Sequence, residues 1–216
     1  MDKILEGEDK IACQFYIIDM KIRLKYSPAL EQLAFLLSGG TRSDIENFLN
    51  DLETVWNSIS DKAVFFIKSL TGVELEEETV YVTPSLPCRA SVEPMAIKAC
   101  DTLSETLDSL IYVLAVTALR RNEELVDKIG LLSTASGFSP LIFEKSVSMY
   151  VRFKVIEELY GAAEVKRIKR KLAKLSRSDR LSIELYELVK KRMKKDSPEE
   201  FLKTMVEIVA EEAFKY

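Results

Sequence analysis

From Asp101 to the end of the chain, apolar residues recur only at helical spacing. More than half of the sequence therefore has to fold as helices packed on helices. The expected helices are 101–121, 123–131, 140–160, 163–176, 179–195 and 198–214. Ser197-Pro198-Glu199-Glu200 combines an N-cap, a first-turn proline and a capping box. Gly161 separates two of the helices.

Strand signals are confined to the N-terminal half. Met20, Ile22, Leu24 and Tyr26 alternate with Lys21, Arg23 and Lys25, which predicts a half-buried strand reaching back toward Ile11. Ser27-Pro28 opens a helix that Gly39-Gly40 stops. Ser43 and Glu46 form a capping box for a helix carrying Ile45, Phe48, Leu49, Leu52, Val55 and Trp56. A further helix carries Ala63, Phe66, Ile67 and Leu70 and ends near Gly72. Val80-Tyr81-Val82 is a short strand, Pro84 and Pro87 enclose a loop, and a second short strand runs from Met95 to Ala99. The expected class is α+β, mostly α: a small sheet packed with helices, then an all-helical C-terminal part. The expected organisation is a mixed core over 1–162 and a helical extension over 163–216 packed on it.

The chain has 216 residues and no histidine. That excludes Ser–His and Cys–His relays. Gly137-Phe138-Ser139 does not complete G-x-S-x-G, and the seven glycines form neither G-x-G-x-x-G nor a P-loop. Cys13, Cys88 and Cys100 are odd in number and match no metal spacing, which predicts reduced thiols and a cytoplasmic setting. Acids interrupt the first ten residues, so no signal peptide is expected. The longest apolar run, Leu110 to Leu119, is about half the ~20 residues of a membrane span. Scarce Gln and Asn beside abundant Lys and Glu resemble proteins from hot habitats.

The order of elements over 45–120 resembles the lead-in to the active-site helix of zincin-type metallopeptidases. A helix ends in Leu70-Thr71-Gly72, and an acidic loop from Glu74 to Glu78 leads to Val80-Tyr81-Val82. A Pro-rich loop, an edge-like strand and a long helix follow. In that family the helix carries H-E-x-x-H, whose histidines bind zinc and whose glutamate activates water. The corresponding pentapeptide here is Ser104-Glu105-Thr106-Leu107-Asp108. The resemblance implies a zincin-like core in which Ser104 and Asp108 stand at the histidine positions and Glu105 at that of the base. Without imidazoles it also implies no catalytic zinc, no cofactor and no catalytic residue, and hence a non-catalytic relative whose groove serves binding or scaffolding. The partner would be another protein or a second copy of the chain.

Two other readings concern the same helix. Asp101, Glu105 and Asp108 recur on one face, opposite Leu103, Leu107, Leu110, Ile111 and Leu114, as on a solvated amphipathic helix. Alternatively, those carboxylates, completed by Glu144 or Glu157, would suit a hard cation such as Mg²⁺ in a carboxylate-dependent metal enzyme.

Charge is unevenly spread. Residues 165–195 hold 13 Lys or Arg against Asp179, Glu184 and Glu187, a balance of +10; the whole chain carries −4, so the remainder carries −14. Lys166, Arg167, Lys169, Arg170, Lys171, Lys174, Arg177 and Arg180 form the densest part, with a turn at 175–178. This predicts, as the alternative function, a helical nucleic-acid-binding surface. Tyr186 is its one aromatic residue, which disfavours single-strand binding by stacking. Val165, Ile168, Leu172 and Leu175 form an apolar seam along the same segment, for burial or for self-association.

Overall fold

A computed structural model describes residues 22–38, 44–137, 139–174, 176–195 and 197–213. The chain is mostly helical with a small mixed sheet. Strand β1 (Arg23–Tyr26) precedes helices α1 (Pro28–Ser38) and α2 (Ile45–Thr71); β2 (Thr79–Thr83), β3 (Ala90–Val92) and β4 (Met95–Lys98) follow. The rest is helical: α3 (Leu103–Arg121), α4 (Glu123–Ser136), α5 (Pro140–Tyr160), α6 (Ala162–Leu172), α7 (Arg177–Arg192) and α8 (Pro198–Ala213).

The sheet order is β1-β2-β4-β3. The pairs β1–β2 and β2–β4 are parallel, and β3 joins β4 antiparallel. Ile22 and Leu24 are buried while Arg23 and Lys25 are exposed, as period-two alternation requires. Met20, the extension toward Ile11, Gly39, Gly40 and Ser43 lie outside the described residues. Strand β3 has no counterpart among the sequence expectations. Ala90-Ser91-Val92 holds a single β-branched residue, and its strand state is set by pairing with Met95–Ile97.

The two helices expected over 45–71 are one continuous helix. Residues 57–62 are mostly polar but contain neither Gly nor Pro, so nothing breaks the backbone hydrogen bonds. Gly72 ends α2 in the left-handed region, φ 69°, where a glycine carries no Cβ penalty. Ser197 caps α8 by accepting from Glu200 N at 3.3 Å, but the Glu200 carboxylate reaches Lys194 N (3.4 Å) and leaves the box open.

One apolar cluster runs from β1 to α8. Helix α3 is buried on nearly all sides from Thr106 to Leu119, between β3 and β4, α2, α4 and α5. The buried carboxylate of Glu31 on α1 accepts from the hydroxyls of Thr83 and Ser85 and pins that helix to the end of β2. No helix among the described residues is long and apolar enough to cross a membrane.

Candidate functional site

The start of α3 is fixed by backbone chemistry before any charge is considered. Thr102 caps the helix by accepting from Glu105 N (3.3 Å), and buried Thr106 accepts from Cys100 N at 3.0 Å. This joins the exit of β4 to the first turn and sets where Ser104, Glu105 and Asp108 emerge.

Each of the three meets a cation from a later helix. Ser104 Oγ accepts from Arg167 Nη2 (2.9 Å) and donates to Glu164 Oε1 (3.1 Å). Glu105 accepts from Lys171 Nζ, with 15% of its side chain exposed. Asp108 accepts from Arg152 through both carboxylate oxygens, Nε lying 2.6 Å from Oδ1, and both side chains are 5% exposed. Helices α5 and α6 thus place three cations where the zincin resemblance would put a metal.

The solvated acidic face is corrected accordingly. Asp101 lies before the first turn of α3, and Asp108 is sealed in the interior against Arg152. From Thr106 onward the side opposite the leucines is buried too, under α5, while Arg167 and Lys171 of α6 reach Ser104 and Glu105 through their side chains. No group of three Cys, Asp or Glu residues that could hold a metal ion exists among the described residues. Glu144 bonds Arg120 at 3.0 Å and Glu157 is exposed, so neither joins Glu105 or Asp108.

Lys171 holds the Glu105 carboxyl below its ordinary pKa, and Arg167 does the same for Glu164. Burial pushes the Cys100 thiol up. A carboxylate with a lowered folded pKa adds stability above its unfolded pKa, lost as pH falls through the folded value. Lys171→Met will therefore be less stable than wild type at neutral pH by under about 1 kcal/mol, since the lysine is partly exposed. Urea unfolding at stepped pH should show that gap closing as Glu105 protonates; a gap unchanged at acid pH would contradict the pairing.

Ser104 also lines a cleft of about 610 Å³ between α2, α3 and the α5–α6 junction. Val55, Leu103, Leu107 and Tyr160 form its apolar wall, and Glu164 and Arg167 its polar rim. Asp108 does not line this cleft.

No family model, curated protein or solved structure matches the chain.

The basic stretch divides into two sets. Arg167, Lys169 and Lys171 turn inward: Lys169 bonds Glu187 (2.7 Å) and sits over the rings of Phe153 and Tyr186. Lys166, Arg170, Lys174, Arg177 and Arg180 are exposed and make no ion pair among the described residues. In the apolar seam, Val165, Ile168 and Leu172 are buried within the chain, so those residues are not open to a second copy; Leu175 lies outside the described residues. Sequence reasoning missed Arg152. Its signal is a lone charge inside 146–153, a segment otherwise free of charge and buried throughout.

Proposed function

We propose that this is a non-catalytic binding or scaffolding protein with a peptidase-like core, using the cleft at the start of α3. The observation that carries this is the partnering of Ser104, Glu105 and Asp108 by Arg167, Lys171 and Arg152. A metal competing for these carboxylates would have to displace cations already bonded to them, and a serine is a poor zinc ligand at neutral pH. The element order supports the reading in part: a helix ending at Thr71, an acidic segment, β2, a Pro-containing loop, and α3 against the sheet, whereas the strand expected at the edge before that helix, β4, lies inside the sheet between β2 and the unexpected β3.

The test is zinc content and peptide cleavage, with and without added Zn²⁺. The expected result is no stoichiometric zinc and no cleavage that Glu105→Gln abolishes. Stoichiometric zinc, or hydrolysis lost in that variant, overturns the proposal.

A second reading rests on the five exposed cations of the α6–α7 ridge, which suit a polyanion such as duplex nucleic acid. Tyr186 is buried, which leaves no aromatic platform there for unpaired bases. A gel shift at low salt that weakens with added salt, and disappears in Arg170→Glu/Arg177→Glu, would favour this reading over the first. No shift at low salt removes it.

A further inference from the structure

Arg152 also lines a second cavity, about 240 Å³, enclosed by α3, α5, α6, the start of α7 and the loop entering β3. Its polar lining comes from Arg89, Ser109, Tyr112, Lys145, Arg152 and Asp179. Lys145 is occupied by Asp179 (3.0 Å) and Ser178 (3.2 Å). Arg152 spends Nε and Nη2 on Asp108 and stacks on the Tyr112 ring at 5.4 Å. Three donor groups are left over. Arg152 Nη1, the Arg89 guanidinium and the Tyr112 hydroxyl make no hydrogen bond among the described residues.

The charges do not cancel. Lys145 balances Asp179 and Arg152 balances Asp108, so Arg89 leaves the lining with one excess positive charge. Guanidinium groups match the planar or tetrahedral oxygens of carboxylates and phosphates, and such bonds strengthen where water is partly excluded. The volume lies below the range of ordinary small-molecule pockets and suits a compact anion.

We infer that this cavity binds a small oxyanion, the carboxylate or phosphate group of a small molecule, held by Arg89 and Arg152 with the Tyr112 hydroxyl as a further donor. The site shares Arg152, and through it Asp108, with the charges at the start of α3, but Ser104 and Glu105 do not line it and anion binding does not depend on the peptidase-like reading.

Calorimetric titration of the full chain with inorganic phosphate, and separately with succinate, at fixed ionic strength tests it. The expected result is saturable one-to-one binding of at least one anion, with chloride giving none; whichever binds identifies the group. Arg89→Gln should weaken binding about tenfold or more, and Tyr112→Phe by a few-fold. The Arg89 side chain makes no hydrogen bond among the described residues, and its charge favours the Glu105 carboxylate only as one of several cations there, so Arg89→Gln should lower the anion-free unfolding midpoint only slightly. Absence of saturable binding for both anions, equal binding by wild type and Arg89→Gln, or heats reproduced by chloride would each overturn the inference.

Discussion

Replacing Asp108 by Asn will destabilise the protein by about 3–5 kcal/mol, because it strands a buried guanidinium. Asn keeps the shape and removes the charge, so the loss comes from Arg152 rather than from a void. Both side chains are 5% exposed, and two of the guanidinium nitrogens point at the carboxylate. The Tyr112 ring beneath Arg152 offsets only about 1–2 kcal/mol. Removing both charges together is a different matter. Asp108→Leu/Arg152→Met avoids the desolvation of both ions, so the double variant should recover most of the loss. Urea unfolding followed by circular dichroism gives the three midpoints. If Asp108→Asn falls within about 1 kcal/mol of wild type, water from the cavity beside Arg152 solvates the guanidinium and the pair is not desolvated as its burial implies.

The second large effect is expected at Phe201. Its ring is fully buried, stacked on Tyr150 with centroids 4.6 Å apart and tilted 6.0 Å from Tyr186. Through it α8 reaches α5 and α7 at once. Phe201→Ala will cost about 3–5 kcal/mol, the sum of lost transfer energy and an unfilled cavity. Val206→Ala, on the exposed part of the same helix, should stay within about 0.5 kcal/mol. Hydrogen exchange locates the damage: amides of α8 should exchange faster in Phe201→Ala while those of α3 keep their order. Loss of protection spread evenly over both helices would show that α8 is not held chiefly by this ring cluster.

The helices after Asp101 were readable because their apolar spacing, caps and glycines agree with one another, as at Ser197-Pro198 and Gly161. Polar residues 57–62 misled in the other direction, since polarity without a breaker does not stop a helix. Strand β3 was hidden because Ala90-Ser91-Val92 is a strand only by virtue of its neighbour. At the candidate site the positions along α3 were legible and their partners were not. Periodicity puts Arg167 and Lys171 on the polar face of α6, but cannot say that this face lies against α3 rather than in water. The same limit applies to the seam at Val165, Ile168 and Leu172, where burial within the chain and burial between chains have one sequence signature.

The interlocked charges on α3, α5 and α6 constrain how this sequence can drift. Mutating Asp108 alone strands Arg152, and mutating Arg152 alone strands a buried carboxylate, so neither is a neutral step. A lineage would have to change both together, or pass through a weakened intermediate. Acquiring metal ligands at 104 and 108 would demand still more, because the resident cations must leave before a metal can approach. The arrangement acts as a ratchet: the exposed cations on the outer ridge of α6 and α7 carry no such folding constraint, while the inner charges can change without loss of stability only as a set.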